Sequence, residues 1–181
     1  RKQREIDPIL TALHDVAAAA KTDHETSPAV RAKLTDLDLR LANMDAMGVD
    51  VQVLSASLVH QGLEWADAQT SLRLARTTND WIAKAVAGQP ARFIGLGTVP
   101  LHLPALAVAE LERCMSELKL RGVGISSTAG EMEIGDPRLA PFWERAEELG
   151  AVVYIHPGGN RGARFKRWHL WNSVGQAFEE A

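Results

Sequence analysis

The side chains best suited to chemistry in this sequence are six histidines and a single cysteine, Cys114. His156 stands apart from the rest. It closes the apolar run AVVYIH (151–156) and is followed by Pro157, Gly158 and Gly159. An imidazole at the tip of a buried strand is fixed on a rigid element, and neutral imidazole is the commonest protein metal ligand. The same position also suits a histidine that only hydrogen-bonds a strand-end carbonyl. His60 and His102 fall in loops after earlier strands, the first near Ser55, Ser57 and Gln61, the second after Thr98. Ser126, Ser127 and Thr128 follow another strand. His14 and His24 read as solvated surface residues. His169, beside Trp168, either faces the mouth of a site or caps a helix.

A second cluster lies just beyond His156. Arg161, Arg164, Lys166 and Arg167 are interleaved with Phe165, Trp168 and Trp171. Guanidinium groups pair with carboxylates, and cations sit well over aromatic rings. The cluster therefore suits an aromatic or unsaturated carboxylate, or else it is a solvated loop. A nucleic-acid partner is disfavoured, because the chain carries a net charge of -3 and the cluster is small. Nucleophilic catalysis has no signature: the chain has no G-x-S-x-G, HExxH or CxxC, and Cys114 falls on the inner face of a helix, where a thiol is inert.

One cysteine excludes an internal disulfide and fits a reducing, cytoplasmic setting. No apolar run approaches the roughly 20 residues that span a bilayer, so no membrane partner is expected. The basic start RKQREID lacks the apolar stretch of a secretory signal. Arg rather than Met at position 1 points to a piece of a longer chain.

Elements must position these groups. Residues 1–34 suggest a short helix around Ile6, Ile9, Leu10 and Leu13, then a polar loop at 21–28. Leu37, Leu41 and Met44 mark a helix stopped by Gly48. Strands are expected at 49–55, 92–99, 122–126 and 151–156. Between them fall helices at about 64–87, from Pro104, and from Asp136-Pro137, where an N-cap precedes a proline at the first helical position. The helix from Pro104 should bury Ala107, Leu111, Cys114 or Met115, and Leu118. The helix from Asp136-Pro137 should bury Leu139, Phe142, Ala146 and Leu149. A last helix is expected from near Leu170 to Ala181. The last three strands recur about every 30 residues, the size of a βα unit. This is an α/β pattern with a parallel sheet. It suits either a small doubly wound sheet or part of a (β/α)8 TIM-type barrel, which takes about 250 residues. No glycine-rich phosphate loop follows a strand, which removes the usual sign of a nucleotide-binding doubly wound domain.

The segments LANMDAMGVDVQ (41–52), PARFIGLGTVPL (90–101), LAVAELERCMSELKLRGVGI (106–125) and DPRLAPFWERAEELGAVVYIHP (136–157) occur in this order. Together they resemble the amidohydrolase-related family, and within it the aminocarboxymuconate-semialdehyde decarboxylase branch, over roughly residues 35–181. The resemblance implies a metallo-dependent-hydrolase-like barrel, of which this chain carries strands two to five. Residues 35–181 would be the partial barrel domain and 1–34 the segment leading into it. It implies a divalent metal, zinc or alternatively manganese, with His156 as the fifth-strand ligand. The first-strand HxH or ExH pair, the sixth-strand histidine and the last aspartate of the family have no counterpart here, and no general acid is assigned. The implied activity is non-oxidative decarboxylation of an aromatic or muconate-like acid, with a homodimer as the assembly; within the basic and aromatic segment after His156, Arg164, Trp168 and His169 are the expected substrate contacts. A hydrolase or hydratase on the same barrel, and a non-catalytic fragment or binding domain, are the competing readings.

Overall fold

The computed structural model describes residues 35–55, 62–157, 167, 170 and 174–179. The chain divides into two compact units, at residues 1–50 and 51–181. In the first, helix α1 spans Leu37–Met47. Asp36 caps it, its carboxylate accepting from the Leu39 N–H at 3.0 Å. Gly48, at φ 69°, ends it in the left-handed conformation that a side chain resists. The Val49 N–H closes the cap on the Met44 carbonyl. The expected 1–34 segment lies outside the described residues.

The second unit is a four-stranded parallel sheet in the order β1 (Gln52–Leu54), β2 (Phe93–Thr98), β3 (Gly122–Ser126) and β6 (Val152–His156). A helix lies in the chain between each strand of this sheet and the next, the βα rhythm that the spacing predicts. Helix α2 (Ala68–Gly88) begins four residues later than expected. The cause is Asp67, whose carboxylate accepts from the Thr70 N–H at 2.9 Å and makes itself the N-cap. The buried stripe Ser71, Leu74, Ala75, Asn79, Ile82, Ala85 then faces inward at helical spacing.

Two glycines in β2 allow helices to lie close behind the sheet. A Cβ on Gly95 would come within 2.8 Å of side-chain carbons of Leu120 and Ile82. One on Gly97 would lie 2.8 Å from the Cys114 sulfur and 2.9 Å from the Asn79 amide oxygen. Helix α3 (Pro104–Ser116) opens on its proline and buries Ala107, Glu110, Leu111 and Cys114. The expected face is there, although Leu118 lies beyond the helix and a carboxylate sits among the apolar groups.

Three further expectations are corrected. Asp136-Pro137 starts a short 3-10 turn (Pro137–Leu139), and helix α4 proper spans Ala140–Glu148. Leu139, Phe142 and Ala146 are buried, but Leu149 is only half-buried because it already lies past the helix end. Strand β6 is not enclosed: Val152, Tyr154 and Ile155 are exposed by 54, 47 and 43%. It is the edge of the described sheet, so neither of its faces is fully covered. The last helix, α5, spans Gly175–Glu179 rather than starting near Leu170. The Leu170 carbonyl is taken by the Val174 and Gly175 N–H groups in a turn that precedes it. A hairpin was also unforeseen. Strands β4 (Thr128–Ala129) and β5 (Met132–Glu133) pair antiparallel across Gly130, at φ 67°.

Candidate metal and substrate face

The strands present their carboxyl ends on one rim, and their register sorts the side chains. Val53 pairs with Ile94, Thr98 with Gly124, Gly124 with Tyr154, and Ser126 with His156. Because side chains alternate along a strand, Ile94 and Thr98 of β2 share a face with Tyr154 and His156 of β6. Gly95 and Gly97 turn to the opposite, helix-covered face. His156 is thus the uppermost side chain of β6 on the front of the sheet.

Its surroundings are specific. The ring nitrogen Nδ1 lies 2.9 Å from the Pro157 carbonyl oxygen. A carbonyl only accepts, so Nδ1 must carry the proton in this contact. Among the described residues that tautomer leaves the Nε2 lone pair unused, the arrangement seen when a histidine binds a metal with its other nitrogen oriented by a carbonyl. Tyr154 stands two residues back at 6.2 Å between ring centres, edge to face. Behind the ring, the Ser127 N–H donates to the His156 carbonyl at 3.2 Å and ties β6 to the residue after β3. Ser126 and Ser127 are buried.

One imidazole is not a complete metal site. Among the described residues, no group of three or more histidine, cysteine, aspartate or glutamate side chains could hold an ion. His156 fits as a single ligand, on the chemistry of its free Nε2. The other chemistry-bearing expectations divide. Thr98 is fully buried at the end of β2, and His102 is half-buried in the β2–α3 loop on the same rim. Arg167 is exposed. Arg164, Trp168 and His169, and likewise His14, His24, Ser57, His60 and Gln61, lie outside the described residues. Cys114 is fully buried, and burial, reinforced by the Glu110 charge, pushes its thiol up to about 12. It is no nucleophile at neutral pH.

Sequence reasoning missed what holds the rim from behind. The Asn79 amide brackets the last residue of β2: its Nδ2 donates to the Thr98 carbonyl at 2.9 Å, and its Oδ1 accepts from the Thr98 N–H at 2.7 Å. The same Nδ2 donates to Glu110 at 2.8 Å. Glu110, fully buried, also accepts from Arg113 at 2.9 Å and Arg76 at 3.1 Å, and Arg113 reaches Asp80 at 2.8 Å. The hydrogen bond to Glu110 raises the Arg113 pKa above its ordinary value. The available signal was a polar residue on each apolar helix stripe, Asn79 on α2 and Glu110 on α3.

The amidohydrolase family model matches residues 13–178. The chain belongs to this family. It is 43% identical over 122 residues to the 2-amino-3-carboxymuconate-6-semialdehyde decarboxylase of Dictyostelium discoideum, covering 67% of this chain and 34% of that protein. Among solved structures it is similar to the 5-carboxyvanillate decarboxylase of Sphingomonas paucimobilis, with TM-score 0.81 and 32% identity over 96% of this chain and 56% of that one. It is likewise similar to a dihydroxybenzoic acid decarboxylase from Polaromonas sp. JS666 with bound manganese and the inhibitor 2-nitroresorcinol. There the TM-score is 0.77 and the identity 28%, over 90% of this chain and 52% of that one. The four-stranded parallel sheet is therefore part of a TIM-type barrel of the amidohydrolase kind, and the doubly wound alternative falls. The chain spans about half the length of the solved relatives it matches.

Proposed function

We propose that this chain is part of a metal-dependent, non-oxidative decarboxylase acting on an aromatic or muconate-like carboxylic acid, with His156 as one metal ligand. The observation that carries the reading is the His156 ring, held at a barrel-strand tip with Nδ1 on the Pro157 carbonyl and Nε2 unused. Its support from outside the chain is that the relatives named above are decarboxylases of such acids, one of them with manganese. His156 would be one of the residues holding a divalent metal, and the chemistry supplied there would be Lewis-acid withdrawal of charge from a substrate oxygen.

The chain's own residues do the rest of the work described. Pro157 fixes the tautomer of His156. The Ser127 N–H holds the backbone carrying it. Asn79 holds the end of the neighbouring strand β2. Arg164, Trp168 and His169 are the proposed substrate contacts, a guanidinium for the carboxylate and rings against an aromatic acid. The finer expectations of zinc, with manganese as the alternative, a homodimer and a cytoplasmic location belong to the same proposal.

The test is CO2 release from a panel of hydroxybenzoates, 5-carboxyvanillate and aminocarboxymuconate semialdehyde, with lactones and unsaturated diacids as controls. The proposal expects metal-dependent CO2 release from at least one acid, lost in His156→Ala. Water addition or ester cleavage without CO2 release would replace it with the hydrolase or hydratase reading. No turnover of any substrate, with no metal retained, would favour a non-catalytic piece.

A further inference from the structure

Three segments on the carboxyl-end rim, each following a different strand, meet at one spot. The turn before α2 brings Glu64, the β2–α3 loop brings His102, and the β4–β5 hairpin brings Gly130. A Cβ placed on Gly130 would lie 3.7 Å from the His102 Cβ and 3.9 Å from the Glu64 Cβ. The β2–α3 loop is held in shape by its own backbone, the Leu101 N–H on the Val99 carbonyl and the Leu103 N–H on the Pro100 carbonyl. The His102 ring is not held in the same way. Its Nε2 is buried and has no hydrogen-bond partner among the described residues.

The geometry points to His102 as a pH-sensitive latch that keeps these three rim segments packed while its ring is neutral and releases them when it is protonated. A neutral imidazole can tolerate a buried, unpaired nitrogen at modest cost. An imidazolium needs a partner or water on both nitrogens, and Nε2 is buried with no partner among the described residues. Burial accordingly lowers the His102 pKa from 6.5, and the Glu64 charge pulls it partly back.

The neighbouring segments supply few charges. On the turn before α2, Glu64 is exposed and Asp67 is engaged with Thr70. On the hairpin, Glu131 and Glu133 are exposed and Gly130 carries no charge. The first turn of α3 (Pro104, Ala105, Leu106) carries none. The sign follows. With the folded pKa below 6.5, the packed state keeps its full stability above pH 6.5 and loses it as pH falls from there through the lowered pKa.

The test is a titration of the isotopically labelled chain by NMR between pH 8 and 5. The latch predicts a His102 midpoint below 6.5, with the backbone amides of Glu64 and Gly130 shifting at that same midpoint. His102→Gln should flatten both amide titrations, and Glu64→Gln should move the His102 midpoint lower still. A His102 midpoint at or above 6.5, amides that do not follow it, or amide titrations that survive His102→Gln would each overturn the latch. Should His102→Gln fail to fold, the exposed Glu64→Gln change decides: an unmoved or raised midpoint rejects the junction.

Discussion

Behind strand β2, the polar groups buried against helices α2 and α3 are matched. Asn79 satisfies both backbone groups of Thr98, and Glu110 accepts from Asn79, Arg113 and Arg76. In front, several groups are left open, although Leu96 and Thr98 are buried there. His156 keeps an unused Nε2, and Val53, Ile94, Val152 and Tyr154 are exposed. The contrast teaches a division of labour. The back of the sheet is built to hold strand ends still, while the front and rim carry the groups that can still bind something. An exposed apolar front is also what the interior of a barrel looks like when only some of its strands are present.

Substitutions can break this contrast, and the largest effect is expected behind the sheet. Glu110→Ala would take from Arg113, Arg76 and the Asn79 amide the buried acceptor they share, leaving Arg113 with Asp80 and Asn79 with the Thr98 carbonyl. Removing one partner of a buried pair costs about 3 to 5 kcal/mol, and the half-exposed Arg76 places this change at the lower end, about 3 kcal/mol. Urea unfolding measures it, and a loss under about 1 kcal/mol would show that the network is not a structural strut. Gly97→Ala comes next. Its new methyl would meet the Cys114 sulfur and the Asn79 oxygen at under 3 Å, which costs about 2 kcal/mol by overpacking.

On the front, Val53→Thr or Val152→Thr should change the stability of this chain by less than about 0.5 kcal/mol, because both side chains are more than half exposed. A large loss at either would mean that the front is already covered. The smallest effect of all is chemical. Cys114, with its thiol pushed up to about 12, should not react with a disulfide reagent at pH 8 until the chain unfolds. Prompt reaction of the native chain would contradict its place in the core.

What could be read from the sequence was what is decided locally. Gly48 after Met44, Pro104 opening α3 and the apolar run ending in His156 are signals within a few residues, and each element formed where they stood. The apolar run 151–156 placed His156 at a strand tip, and the structure puts it there; only the family resemblance makes it a ligand. What escaped depends on contacts across the chain. Asn79 reaches Thr98 and Glu110 reaches Arg76 from more than 18 residues away, so neither bond has a local signature. The exposure of β6 follows from its edge position, which an apolar run cannot announce. The hairpin had one local signal, Gly130, but its strands are too short to show an alternating pattern.

The central claim is that His156 offers Nε2 to a divalent metal. Manganese broadens the NMR signals of nuclei close to it, so adding Mn2+ to the labelled chain tests the claim without any assay of turnover. The account predicts early, selective broadening of the His156 ring and of the Ile155 and Ser127 amides beside it, absent at those amides in His156→Ala. Uniform broadening across the chain, or amide broadening that persists in His156→Ala, would contradict it.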